Sequence, residues 1–271
     1  MSYNLRPDGS VEYIGKKIPR AALPPDVGVA QGRSAEATDA YLESKLSHPE
    51  YAADPSLARG QERAKDAGMP EIAVSAMQGQ MLSVIAKGMG AEKVLEIGTL
   101  AGYSTSFLAK ALPSHGQIDT IEFSPVHAKV SQQNFLDTDL FPFPTVHVGA
   151  ALDVLRDPSG AFASPPGTEQ GLPLEKRGYD LVFIDADKEN YFEYWIEALR
   201  LTRKGGVIIL DNAVRGGRIV SEENDQPDID VTGLRKVYDW VEQDAGKTVL
   251  MSGIQTVGAK AWDGFAIAVK L

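Results

Sequence analysis

Two short stretches place oxygen-bearing side chains directly after runs that read as buried strands. Phe183-Ile184-Asp185-Ala186-Asp187-Lys188 sets two acids and a lysine behind one run; Ile209-Leu210-Asp211-Asn212 sets an acid and an amide behind the next. Adjacent strands lie about 4.8 Å apart, so Asp185, Asp211 and Asn212 can converge on one point. Two carboxylates and an amide oxygen, without His or Cys, make a hard donor set suited to Mg²⁺, with positions open for water or substrate. Lys188, just past Asp185, suits a general base acting on a bound hydroxyl, or is simply a solvated first-turn lysine. A lone strand-end acid is usually a cap; three ligand-type residues on adjacent ends point to a site.

A second constellation lies upstream. In KVLEIGTLAGYS (93–104) a buried strand breaks at Gly98 and Gly102 into a hydroxyl-rich helix, the kind of turn at which open α/β sheets bind nucleotide-like ligands. The pattern is G-x-x-x-G rather than the G-x-G-x-x-G of dinucleotide enzymes, so the pyrophosphate provision is weaker. Glu96 interrupts the buried strand. Unpartnered there, a carboxylate would cost several kcal/mol, so cations or hydrogen-bond donors must meet it. Glu122 ends the next strand, where an acid suits a hold on ribose hydroxyls or a cap on the following helix.

The elements that must position these groups alternate strand and helix. Strands are expected at Lys93–Ile97, Gln117–Glu122, Thr145–Val148, Asp180–Asp185 and Gly206–Asp211, with a closing hairpin over Thr248–Ile254 and Gly264–Val269. Helices are expected at 104–112, 126–135, 151–155, 191–201 and 233–242. Such alternation implies a mainly parallel sheet with one antiparallel strand at its edge. Upstream, helices are expected from Ser34 (Ala37, Ala40, Tyr41 and Leu42 on one face), over Ser56–Ala67, and over 76–87. In the last of these Met77, Met81, Leu82 and Ile85 form the expected buried stripe, and Gly79 is either tolerated or marks a close approach. Residues 1–33 read as an extended arm, 157–178 as an inserted surface loop and Ala213–Asp230 as a mobile cover. His48, His115, His127 and His147 show no ligand spacing and read as surface or helix residues.

Composition narrows the function classes. The 271 residues, 43% hydrophobic and 24% charged, suit a soluble chain of one large domain, with or without an extension. Zero cysteines exclude disulfides, thiolate metal sites and a thiol nucleophile, which fits a cytoplasmic setting. A net charge of −10 without any Lys/Arg block makes a nucleic-acid partner unexpected. No apolar run approaches a membrane span, and the N-terminus lacks a signal-type apolar core.

The segments VLEIGTLAGYS, IEF (121–123), VGAALDVL, YDLVFIDADKENY, GGVIILDN and DGFAIAVKL together resemble the cation-dependent, S-adenosylmethionine-dependent O-methyltransferases, the group of caffeoyl-CoA and catechol O-methyltransferases. The resemblance runs from about Ile72 to Leu271. It implies a class I methyltransferase fold: an α/β, Rossmann-like sheet of seven mainly parallel strands, the last antiparallel, with helices on both faces and an N-terminal helical extension. Residues 1–70 would be arm and helices and 71–271 the methyltransferase domain, usually homodimeric. Glu96, Gly98 and Ser104 would line the methionine part of the cofactor, with Thr99 beside them and Val74 reaching in from the helix entry. Glu122 would hold the ribose, Ala151 would lie by the adenine and Asp187 would contact the amino group. Asp185, Asp211 and Asn212 would hold Mg²⁺ or another divalent cation, and Lys188 would be the base. The acceptor implied is a small aromatic with vicinal hydroxyls. Two further readings stay open: a non-catalytic dimeric scaffold keeping a nucleoside pocket, and an NAD-type oxidoreductase.

Overall fold

The computed structural model describes residues 34–271 except 169, 174, 175, 221–227 and 259–261, together with the backbone of three short strands near the start. Those strands, β1 (Tyr3–Leu5), β2 (Val11–Tyr13) and β3 (Lys16–Ile18), pair antiparallel in sequence order. The rest of the expected arm, and residues 221–227 of the expected cover, lie outside the described residues.

Three helices come next. In α1 (Ala35–Leu46), Ser34 accepts the Ala37 N–H as cap, but no residue of the helix is buried, so its expected apolar face stays open. In α2 (Pro55–Asp66), Asp54 caps the start, Pro55 opens the first turn, and Leu57, Gly60 and Ala64 are buried. Asn134 clamps this helix to the body, its Nδ2 donating to the carbonyls of Gly60 and Ala101. In α3 (Ala76–Gly88), Ser75 and Gln78 form a reciprocal capping box.

The buried face of α3 differs from the expected stripe. It is Gly79, Leu82, Ser83 and Ala86, while Met77, Met81 and Ile85 are only half-buried. Small residues face inward because α4 (Tyr103–Ala111) packs tightly there: a Cβ on Gly79 would sit 2.5 Å from the Phe107 ring, and the Ser83 hydroxyl donates to the Phe107 carbonyl at 2.8 Å. Gly79 therefore marks a close approach. Gly79→Ala is expected to destabilise the protein by about 1–3 kcal/mol through overpacking, despite alanine's better helix propensity, and urea denaturation would measure it.

The remaining elements are β4 (Lys93–Ile97), β5 (Gln117–Glu122), α5 (Pro125–Asp137), β6 (Thr145–Val148), α6 (Ala151–Arg156), β7 (Tyr179–Ile184), α7 (Tyr191–Leu201), β8 (Thr202–Asp211), α8 (Ile229–Asp244), β9 (Val249–Val257) and β10 (Trp262–Lys270). The seven strands β4–β10 form one sheet ordered β6-β5-β4-β7-β8-β10-β9, in which only β10 runs against its neighbours. Successive strand residues serve opposite layers. Leu95, Ile97, Val182, Ile184, Ile208 and Leu210 pack with α7 and α8, whereas Val94, Leu181, Phe183 and Ile209 pack with α3, α4 and α5. The expected α/β sheet with helices on both faces is thus the observed one. Among the described residues no helix is long and apolar enough to cross a membrane.

Several details differ from expectation. β8 begins at Thr202 rather than Gly206, because Thr202 pairs with Tyr179 before an irregularity in the ladder. α8 begins at Ile229, so Gly233 lies inside it; a Cβ there would meet the Lys188 carbonyl at 2.3 Å, and only glycine lets the helix pack on that turn. The 157–178 loop is anchored rather than purely superficial: Phe162 is buried against His147 and Tyr179. His147 stands on β6, half-buried, with Nε2 2.8 Å from Asp119.

Candidate active site

The strand ends of β4, β5 and β7 are joined just past their last paired residues. Gly98 N–H donates to the Ile121 carbonyl at 3.1 Å, and Asp185 N–H donates to the Ile97 carbonyl at 2.9 Å. Gly98 has φ +106°, and a Cβ would lie 2.1 Å from the Asp185 carbonyl oxygen. Only glycine permits this approach. Gly102, φ +79°, begins α4 and presses against the Phe135 ring.

Above this rim opens a cleft of about 1070 Å³. Gly98 and Thr99 line it from the turn after β4, Ser104 from the first turn of α4, Glu122 from β5, and Ala151 from the first residue of α6. Val74 reaches it from the segment before α3, and Asp185, Asp187, Lys188 and Asn212 line it from the ends of β7 and β8. A space of this size accommodates a nucleoside-type ligand and a small partner side by side.

Two expected residues are not on the wall. Glu96 is fully buried beneath it. Its Oε1 accepts from the Ser104 hydroxyl at 2.5 Å, and its Oε2 accepts from the Thr105 hydroxyl and, at 2.7 Å, from Thr120. These are the donors the buried carboxylate requires, and through them Glu96 holds Ser104, which does stand on the wall. Burial nonetheless outweighs the three hydroxyls and pushes Glu96 up to about 7, with the Asp185 charge adding to the rise. Asp211 is the second: it is the half-buried last residue of β8, and its neighbour Asn212 reaches the wall.

Glu122 is 7% exposed, and each of its oxygens already has one backbone donor: Oε2 takes Leu100 N–H at 2.8 Å, Oε1 takes Ser124 N–H at 2.9 Å. It thus buttresses the turn into α5, whose own cap is Ser124, and its Oε1 also lies 3.3 Å from His127 Nδ1. Asp187 accepts from Tyr194 and Asn190.

The acidic corner is tightly arranged. Lys188 Nζ donates to Asp185 Oδ1 at 2.8 Å and to the Tyr191 hydroxyl at 2.7 Å, and lies 4.7 Å from the centre of the Tyr191 ring. The Tyr191 hydroxyl donates in turn to the Asp211 carbonyl at 3.1 Å. Burial and the nearby Asp185 carboxylate push Asp211 above the usual carboxylate range. Among the described residues no three His, Asp or Glu side chains gather in a metal-holding group. The expected set contains two carboxylates and an amide, all hard oxygen donors, and that chemistry fits a divalent cation.

Several wall residues escaped sequence reasoning. Asn190 and Tyr194 stand four residues apart, a helical spacing legible in KENYFEY. Glu71, Ile72 and Tyr103 carried none, whereas Arg215 lies in the segment expected to cover the cleft and does reach its wall.

The O-methyltransferase family model matches residues 50–255. A catechol O-methyltransferase of Mycobacterium tuberculosis is 39% identical over 243 residues, covering 90% of this chain and 99% of that protein. The crystal structure of an O-methyltransferase from Bacillus cereus in complex with SAH aligns with a TM-score of 0.74 at 35% identity, covering 88% of this chain and 98% of that one. TomG of Streptomyces achromogenes, an O-methyltransferase involved in tomaymycin synthesis and solved with SAM, gives 0.74 at 33% identity, covering 89% and 99%. The family model and these relatives each cover most of the molecule, and the chain belongs to the O-methyltransferase family.

Proposed function

We propose that this protein transfers the methyl group of S-adenosylmethionine to one hydroxyl of a small aromatic acceptor bearing vicinal hydroxyls, assisted by a divalent cation. One observation carries the reading: a single cleft receives the Gly98 rim and Glu122 at one end and Asp185, Lys188 and Asn212 at the other. The relative named as a catechol O-methyltransferase and the family structures holding SAM and SAH support it.

The cofactor supplies a methyl group already activated on a sulfonium. Glu122 would take ribose hydroxyls on its remaining lone pairs, Gly98 admits the ligand close to the backbone, and Ser104, held by Glu96, would serve the methionine end. Val74, Thr99, Ala151 and Asp187 complete that wall. Asp185, Asp211 and Asn212 would hold the divalent ion, which would supply positive charge that makes the acceptor hydroxyl easier to ionise. Lys188 would receive the acceptor's hydroxyl proton at Nζ while Tyr191 holds the side chain in place. Transfer would form the C–O bond as the sulfonium C–S bond breaks, leaving a neutral thioether, and the cleft's part would be to hold the two reactants in line. A homodimer in a cytoplasmic setting belongs to the same proposal; light scattering and cell fractionation test it.

The test is labelled S-adenosylmethionine with catechol, with and without magnesium. Methylated catechol is expected with Mg²⁺, none in EDTA, and recovery on restoring the ion. Full activity in EDTA would reject the metal role. Asp185→Ala is expected to lose turnover while calorimetry still detects S-adenosylhomocysteine binding.

A further inference from the structure

Asp263, the second residue of β10, carries no role so far, and its partners are unusual. The antiparallel register sets Phe265 opposite Asp211, which brings Asp263 alongside the turn after Asn212. Its Oδ1 accepts three backbone N–H groups: Val214 at 3.0 Å, Arg215 at 2.8 Å and Gly264 at 3.0 Å. Its Oδ2 accepts from Asn212 Nδ2 at 3.2 Å. The turn so held is strained, since Asn212 (φ +52°) and Arg215 (φ +54°) are both left-handed without being glycine.

We infer that Asp263 is a positioning residue that sets which end of the Asn212 amide faces the Asp185–Asp211 corner. An ionised carboxylate only accepts, so the amide must turn its NH₂ toward Asp263, leaving Oδ1 as the atom for the cleft. The orientation matters because an amide nitrogen, its lone pair delocalised into the carbonyl, does not ligate a hard cation, whereas the oxygen does. The inference rests on the cation reading proposed above.

The geometry specifies a variant that separates orientation from folding. In Asp263→Asn, the three backbone N–H groups still require an acceptor, so the new amide oxygen takes the place of Oδ1. Its NH₂ then faces Asn212, whose amide must flip to accept and present its own NH₂ to the corner. The turn stays latched while one ligand atom of three is replaced by a donor. Exchanging the pair, Asp263→Asn with Asn212→Asp, reverses the loss. The carboxylate introduced by Asn212→Asp would accept from the amide across the turn with one oxygen and keep the other for the cation.

The experiment titrates Mn²⁺ by electron paramagnetic resonance into the full chain and its variants. Thermal unfolding and S-adenosylhomocysteine binding report folding. Wild type should bind Mn²⁺, Asp185→Ala should not, and Asp263→Asn should bind 10–100-fold more weakly with an unchanged melting temperature. The exchanged pair should return to within a few-fold of wild type. An Asp263→Asn affinity within twofold of wild type, or a folded exchanged pair that stays tenfold weaker, overturns the inference. If Asp263→Asn fails to fold, the exchanged pair alone decides. Wild type without Mn²⁺ affinity, or Asp185→Ala with full affinity, overturns the cation reading and the inference with it.

Discussion

Gly98→Ala is expected to abolish cofactor binding and lower the unfolding temperature by roughly 10 °C, taking about 3–5 kcal/mol at about 2–4 °C per kcal/mol. Two penalties add. The residue holds φ +106°, where an L side chain is strained, and its Cβ would overlap the Asp185 carbonyl oxygen at 2.1 Å. That oxygen is backbone, tied through the Asp185 N–H to the end of β4, so it cannot yield as a flexible side chain would. Relief requires β4 and β7 to part at their ends, which would displace Asp185 and open the rim of the cleft. Gly68→Ala is the control: φ is +72° but nothing lies within 4 Å of its Cβ, so strain of about 1–2 kcal/mol acts alone and the cleft is untouched. Calorimetry with S-adenosylhomocysteine and thermal unfolding on both variants check this. Equal melting temperatures for the two would mean that the rim accommodates a methyl group.

The features legible in the sequence are those with a one-dimensional signature. Apolar runs ending in Gly98, Glu122, Asp185 and Asp211 gave the strand ends, and in a doubly wound sheet the strand ends are where ligands collect. What was illegible depends on contacts between distant segments. Thr202–Gly205 has no apolar pattern, and its pairing in β8 comes from Tyr179 across the sheet. The buried seam of α3 is set by Phe107 of another helix, which selects Gly79, Ser83 and Ala86 over the larger Met77 and Met81. Asp263 reads as an acid opening an apolar strand. Its role follows only from the β8–β10 register, which no local pattern encodes. Glu96 was half legible: a buried acid must find donors, but that they would be Ser104 and Thr105 on the next helix, rather than a ligand in the cleft, is a fact of packing. Strands, turns and acids alone left a dinucleotide reading open, and the family match closes it.

The same carboxyl group governs the second large effect, a pH-dependence of stability. Glu96 is held up at about 7 by burial, against Ser104, Thr105 and Thr120 and together with the Asp185 charge. The unfolded chain releases this proton near pH 4.3, so between about pH 4.5 and 7 the folded state binds more protons than the unfolded one. Stability must then fall as pH rises through that window and level off above it, the reverse of the usual salt-bridged carboxylate. The full span is worth about 3 kcal/mol. Glu96→Gln removes the titration while keeping size and one acceptor; its fixed cost in hydrogen bonding cancels when two pH values are compared. Urea denaturation at pH 5 and pH 8 should therefore show wild type losing about 3 kcal/mol relative to Glu96→Gln across the interval. A difference between the two proteins that stays constant with pH would mean that Glu96 is already ionised at pH 5. The three hydroxyls would then outweigh its burial, and Ser104 would be tied to a charged partner at every pH at which the cleft works.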